Sequence, residues 1–305
     1  MKNKVALGID IGGTNTKVGF FTAEGELIDS LNFPTQKESA QNFFKYIHSE
    51  CLALLKKHLI DEEQLLGVGI GAPMANATTG SITYAHNLGW KNIEIKNDFA
   101  KLFKCPVFID NDANLAALGE SYFGVGRDAH SFILITLGTG VGTGIVINKK
   151  LIHGFQGLAG EGGHIIIDSP TQRFCPCGGL NHIEAYMGAE GILKTFAEND
   201  FSINIRDFSK YLEDNDPKAI KCLDLMCDQL SSAIVNMSVV IGPEKIILAG
   251  GVSQIGEVFL NKLEEKVNEK IIYSFKNKMT FHLASVSTKD GAIYGGAALV
   301  FSEVL

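Results

Sequence analysis

Val5-Ala6-Leu7-Gly8-Ile9-Asp10-Ile11-Gly12-Gly13-Thr14-Asn15-Thr16-Lys17-Val18-Gly19-Phe20-Phe21 decides how this chain is read. Val5 to Ile9 is a short apolar run of strand type. It stops at Gly12-Gly13-Thr14-Asn15-Thr16, a run of turn formers, and Lys17 to Phe21 resumes a strand. The stretch predicts a β-hairpin closed by a glycine turn. Glycines without Cβ let backbone N–H groups come close to an anion. Thr14, Asn15 and Thr16 add short donors, and Lys17 adds charge. Asp10 ends the first strand, a place from which a carboxylate can hold Mg²⁺ beside a phosphate. Alone, the stretch also reads as an ordinary hairpin.

Residues 131 to 147 repeat it. Ser131 to Leu137 is a strand, Gly138-Thr139-Gly140 a turn and Gly142 to Ile147 the return strand. Two such hairpins in one chain read as an internal duplication. Duplicated domains facing across a cleft would bring both turns to one nucleotide. No Gly-x-x-x-x-Gly-Lys-Ser/Thr is present, so this is not a Walker loop. A hairpin and not a helix follows the glycines, which excludes a Rossmann fingerprint. The pair resembles the two phosphate loops of the actin, hexokinase and Hsp70 superfamily of ATP-dependent proteins. That resemblance implies an α/β fold of two ribonuclease H-like domains with a ligand cleft between them. The expected domains are residues 1–115 with 290–305, and 116–289. The last helix crosses back, as it does in relatives of this superfamily.

Composition narrows the partners. A chain of 305 residues suits two domains, and 46% hydrophobic residues is a globular value. A net charge of −7 argues against nucleic acid or an anionic membrane as main partner. No apolar run approaches the ~20 residues of a membrane span. Asp10 interrupts the N-terminal apolar run too early for a signal peptide. A cytoplasmic protein with reduced thiols is expected. Cys51, Cys105, Cys222 and Cys227 sit in apolar or helical surroundings and read as core.

The rest of the chain alternates strands and helices. A third strand is expected near Leu27 to Phe33, then a helix from Ser39 to Leu59, with Phe43, Phe44, Ile47, Leu52 and Leu55 at helical spacing. Leu66 to Ile70 and Val107 to Ile109 read as strands, separated by a loop over 74–90 with a short strand at Ser81 to Tyr84. Ala113 to Phe123 reads as a helix. Residues 149–183 read as mostly loop, and irregular segments of that length are usually functional. Helices dominate Glu184 to Ile241. A strand follows at Lys245 to Leu248, then a helix to Ile271, a strand at Thr280 to Ala284 and a final helix from Asp290.

Ile109-Asp110-Asn111-Asp112-Ala113-Asn114 ends a strand and opens a helix. Asp112 falls at or near the N-cap. It reads either as a capping aspartate or as a general base that takes a proton from a hydroxyl. A helix N-terminus favours its ionised form. At this point a family resemblance is on the page. Asp10-Ile11-Gly12-Gly13-Thr14, Asn111-Asp112-Ala113-Asn114, Gly138-Thr139-Gly140, Glu161-Gly162-Gly163-His164, Cys175-Pro176-Cys177-Gly178 and Gly250-Gly251-Val252-Ser253 occur in the order and spacing of ROK-family sugar kinases. The resemblance covers essentially the whole chain. It implies that Asp112 is the catalytic base and that Asn87, Asn111, Glu161, His164 and Glu184 bind sugar hydroxyls. It also implies that Asp10, Gly12, Gly13, Thr14, Asn15 and Lys17 with Gly138, Thr139 and Gly140 serve the phosphates of ATP and its Mg²⁺. Gly250 and Gly251 match the wall beside the adenosine. The chemistry is sensible: carboxylates and amides give paired, charge-assisted bonds to a ring of hydroxyls.

The metal segment departs from the family. The usual Cys-x-Cys-Gly-x-x-Gly-Cys-x-Glu becomes Cys175-Pro176-Cys177-Gly178-Gly179-Leu180-Asn181-His182-Ile183-Glu184. Histidine is an ordinary zinc ligand, and asparagine tolerates the left-handed backbone that a glycine often serves. With His164, Cys175, Cys177 and His182 the set is closed and tetrahedral, which is the pattern of a structural Zn²⁺. A decayed site with free thiols is the competing reading. Met74 and the proline-free Asn87-Leu88-Gly89-Trp90 are further departures that bear on the sugar pocket. The expectation is a homodimeric, ATP-dependent hexose kinase. Glucose at its 6-hydroxyl is the first choice, and N-acetylmannosamine or N-acetylglucosamine the alternative. A bound hexose would contact both halves. A sugar-responsive ROK repressor needs a helix-turn-helix ahead of the first strand, and that strand begins at about Val5. A polymer-forming actin-like ATPase would not need Glu161 and His164.

Overall fold

A computed structural model describes residues 4–85, 88–286 and 291–304. The chain divides into two compact units, Met1–Arg127 with His153–Ala159 and Lys289–Leu305, and Asp128–Ile152 with Gly160–Thr288. The first unit ends after Arg127 and not near residue 115, because a break there would cut the helix Asp112–Phe123 (α3 below), which packs along the last helix, Gly291–Val304.

The first unit is built on β1 (Val5–Ile11), β2 (Asn15–Thr22), β3 (Leu27–Pro34), β4 (Leu65–Gly71) and, further on, the strand Val107–Asp110. Helix α1 (Ala40–Lys57) follows the meander. Its start is set by Ser39, whose hydroxyl accepts from the Asn42 amide at 3.4 Å. Phe43, Phe44, Ile47, Cys51, Leu54 and Leu55 recur at helical spacing and are buried. The strand expected at Ser81 to Tyr84 within the 74–90 loop is β6 (Ser81–Ala85), and it is joined by two strands that were not expected, β5 (Ala75–Asn76) and β7 (Trp90–Ile93), in a small antiparallel sheet. Ala75-Asn76 is too short to show a period, and Trp90-Lys91-Asn92-Ile93 carries two polar residues in its middle. Trp90 anchors this sheet edge-on to Phe44, with ring centroids 5.4 Å apart. After α2 (Ile95–Ala100), the strand Val107–Asp110 becomes β8 and leads into α3 (Asp112–Phe123). The sheet order is β3-β2-β1-β4-β8, with β1, β4 and β8 parallel. Cys105, expected in the core, is only half-buried.

The last helix lies against the face of β1 and β4 at glycine-to-glycine distance. A Cβ on Gly69 would meet the Gly296 carbonyl at 1.9 Å, and one on Gly296 would sit 2.6 Å from the Gly69 carbonyl. No side chain fits between these backbones, and the contact surface left to Ile293, Ala297 and Val300 is fully buried. Gly296→Val is therefore expected to destabilise the first unit by about 3 kcal/mol or more. Thermal unfolding of the purified variant checks this, and an unchanged midpoint would show that the helix does not seat here.

The second unit repeats the plan. Its sheet order is β11-β10-β9-β12-β13, formed by β9 (Phe132–Leu137), β10 (Val141–Ile147), β11 (Lys150–Leu151), β12 (Lys245–Ala249) and β13 (Thr280–Leu283). An antiparallel meander joined to two parallel strands occurs in both sheets, strand for strand. The helices are α4 (Glu184–Met187), α5 (Ala189–Glu198), α6 (Phe208–Glu213), α7 (Pro217–Ile241) and α8 (Glu257–Lys270). The start of α7 is fixed by Asp216, which accepts from the Lys218 and Ala219 amides at 2.8 and 3.0 Å, with Pro217 in the first helical position. Tyr186, Phe196, Phe208 and Phe259 are fully buried and fill the core under these helices.

Candidate active site

The first glycine turn joins β1 to β2 and is braced from outside the hairpin. Gly12 donates to the Asn15 carbonyl at 3.0 Å. Thr35, just past β3, donates its one hydroxyl proton to the Gly12 carbonyl at 2.7 Å. The buried Thr16 hydroxyl must then donate to Thr35, 2.9 Å away. Thr14 and Asn15 stay exposed at the tip. Asp10 stands opposite Lys17 across the β1–β2 pair. Burial pushes the Asp10 carboxyl up to about 6, the charge of Asp112 adds to the rise, and Lys17 opposes it. Thr35 carries no motif and was not legible in the sequence.

At the same end of the parallel strands, where Gly71 of β4 pairs with both Asp10 and Asp110, β8 runs straight into α3. Asn111, and not Asp112, is the N-cap: its Oδ1 accepts from the Asn114 amide at 2.7 Å. Asp112 is the first helical residue and accepts from the Ala113 amide at 2.9 Å. Its side chain keeps solvent contact, yet the protein packed around it raises its pKa above the usual carboxylate value, with the Ala113 amide opposing. Desolvation thus outweighs the helix terminus, which alone would favour the ionised form. Asp110, fully buried, sits beneath. It accepts from the Asn111 amide and from Asn114 Nδ2, both at 2.8 Å, and from His153 Nε2 at 2.6 Å. Asn87 lies outside the described residues.

In the second unit the turn Gly138-Thr139-Gly140 is closed by Gly138 donating to the Gly140 carbonyl at 3.0 Å. Gly138 also accepts from the Ala189 amide at the head of α5, 2.9 Å away. Glu184, read from sequence as a sugar ligand, turns Oε2 to the Val141 amide at 3.0 Å and Oε1 toward the Cys175 thiol at 3.5 Å. It ties the glycine turn to the cysteine segment. A cavity of about 800 Å³ opens beside the turn, lined among others by Gly138, Leu193, Ile203, Arg206, Gly251 and Ile255. Gly138 and Gly251, both singled out in the sequence, meet on its wall. Leu193, Ile203 and Arg206 were missed, because they come from helix and loop residues that share no motif.

Glu161 opens a short 3-10 turn, Gly162–His164, pinned when the Gly162 amide donates to the Thr143 hydroxyl at 3.0 Å. His164 Nε2 lies 3.7 Å from Glu161 Oε2, and its Nδ1 lies 3.9 Å from Cys175 Sγ. One ligand atom each from His164, Cys175, Cys177 and His182 falls within 4.8 Å of the others. Two imidazoles and two thiols at that spacing suit one tetrahedral ion. Burial pushes the Cys175 thiol up to about 12, and a bound cation would favour its thiolate. Asn181 takes φ 57° and its Oδ1 accepts from the Arg173 amide at 3.1 Å and from Tyr186 at 2.7 Å. Gly179 makes room for histidine in place of cysteine: a Cβ there would lie 2.1 Å from the His182 ring.

Two sheets of the same strand order, each led by a glycine turn, with a carboxylate heading the helix after the first, define a two-domain protein of the actin-like ATPase class. A profile of the ROK family matches residues 6–303, and the chain belongs to that family. It is 33% identical to a glucokinase of Halalkalibacterium halodurans over 97% of this chain and 95% of that protein. It is also 27% identical to a xylose repressor of Caldicellulosiruptor bescii, covering 98% of this chain and 78% of the repressor. Among solved structures, a ROK-family glucokinase from Streptomyces griseus in complex with glucose and AMPPNP superimposes with a TM-score of 0.76 at 26% identity, over 96% of this chain and 98% of that one. No helix among the described residues is long and apolar enough to cross a membrane.

Proposed function

We propose that this chain transfers the γ-phosphoryl group of ATP to a hexose, with the 6-hydroxyl of glucose as the preferred acceptor. The observation that carries this reading is the Asn111–Asp112 pair at the head of α3. Asn111 spends its carbonyl oxygen on the cap, which leaves its amide group to donate to a sugar hydroxyl. Asp112 accepts the hydroxyl proton as the new O–P bond forms and the bond to ADP breaks. The glycine turns would hold phosphates through backbone N–H groups, and the cavity beside Gly138 and Gly251 would take the adenosine. Mg²⁺ at Asp10 would neutralise phosphate charge. Zn²⁺ held by His164, Cys175, Cys177 and His182 would be structural, and it would leave His164 Nε2 to face Glu161 and the sugar. A glucokinase relative at 33% identity and a glucose-bound ROK structure support the reading.

The xylose repressor relatives favour a second reading, a sugar-binding regulator without turnover. A panel of hexoses and N-acetylhexosamines with ATP and Mg²⁺ separates the two. Turnover with glucose supports the kinase, and sugar binding with no phosphorylated product supports the regulator. The same assay run against pH has an expected shape. Asp10 and Asp112 both work ionised, and both titrate above the ordinary carboxylate value. The acid limb of kcat/KM should therefore lie above the ordinary carboxylate range, near pH 6 where Asp10 sets it, and a limb near 4 would mean that neither raised group matters.

A further inference from the structure

We propose that His153 is a positioning residue for the transfer described above, acting through Asp110 on the turn that presents Asp112. The inference rests on the kinase reading but draws on residues that reading does not use. Asp110 Oδ1 is shared by the Asn111 amide and Asn114 Nδ2, whereas Oδ2 is met by His153 Nε2 at 2.6 Å. The carboxylate is buried, so its ionised form needs donors on both oxygens. Without His153, Oδ2 loses that donor, and the carboxylate turns toward water. That response moves Oδ1 away from Asn111, which is the cap of α3 and the neighbour of Asp112. In the other direction, the Asp110 hydrogen bond raises the His153 pKa above the usual histidine value.

The segment that brings His153 here is held by polar contacts and not by a core. Phe155 and Leu158 are 82% and 62% exposed. Its other tie to the first unit is Asn76 Nδ2 donating to the Gln156 carbonyl at 2.8 Å. A stretch of chain 43 residues after Asp110 thus turns a histidine onto the carboxylate under the base.

The test compares His153→Phe, which keeps bulk and removes the donor, with His153→Gln, whose amide can donate at similar reach. His153→Phe is expected to lower kcat roughly tenfold, the scale of a small misplacement of a catalytic group. The sugar KM should stay within about twofold, and His153→Gln should recover most of the loss. Amide hydrogen exchange across 111–115 should quicken in the Phe variant only. Unchanged kcat in the Phe variant, or exchange equal in all three proteins, overturns the proposal. A wild-type protein that phosphorylates no sugar defeats the functional reading alone, and the exchange comparison then decides whether His153 holds this turn.

Discussion

Asp112→Asn is expected to lower kcat by roughly 10²- to 10⁴-fold while sugar affinity stays near that of the unaltered protein. The amide keeps the shape of the carboxylate, and its oxygen can still accept from the Ala113 amide as Asp112 Oδ1 does at 2.9 Å. The cap of α3 belongs to Asn111, so the helix start survives the change. What is lost is a proton acceptor whose affinity for protons has been raised by its surroundings. A base of that kind is better matched to neutral pH than an ordinary aspartate. Turnover from a coupled assay and affinity from calorimetry measure the two quantities separately. A purified variant with near-normal kcat would remove Asp112 from the chemistry.

The second large effect concerns the metal. Protein purified without chelator is expected to hold one zinc per chain, and Cys175→Ala should lose it. Around the cluster, regular structure is scant: single bridges pair Ile166 with His182 and Phe174 with Leu180. Structural zinc in small peptides binds with an apparent free energy of about 10–16 kcal/mol, and here it would add to the hydrogen bonds that Arg173 and Tyr186 already make across this segment. Loss of the ion should therefore lower the thermal midpoint and also the activity, since Glu161, His164 and Glu184 share the same backbone. His182→Cys, which restores the more usual ligand, should retain the metal. Metal-free protein with full activity and an unchanged midpoint would end the structural-zinc reading.

Much of the fold was legible because it rests on local signals. Gly12-Gly13 and Gly138-Thr139-Gly140 punctuate runs of strand period, and the two halves share the same order of strands. Of the small sheet only β6 was legible, since β5 has two residues and β7 carries polar residues in its middle. The site divides in the same way. Asn111-Asp112 and the Cys/His set lie in contiguous motifs, so their neighbourhood could be read directly. The sequence placed Asp112 only at or near the N-cap, because Asn111 and Asp112 are both good caps and the Asn114 hydrogen bond decides between them. Thr35, His153 and Arg206 act across gaps in sequence, on partners that only the folded chain brings near. The raised pKa of Asp112 was missed for the same reason: burial is a property of the surroundings, and the helix end was all the sequence offered.

The glycine seam between the last helix and β1–β4 has a consequence for biosynthesis. Most of the first unit is translated before the second, but the helix that covers its sheet is translated only after the second. Residues 160–288 of the second unit are contiguous and can fold while the earlier strands still wait for their cover. The nascent first unit must meanwhile expose the bare faces of Gly8 and Gly69, an apolar groove with no side chains to shield it. Chaperone engagement is expected to persist until the helix Gly291–Val304 has been made and has docked. A truncation ahead of Gly291 would then leave the earlier-made strands, not the later ones, unable to mature.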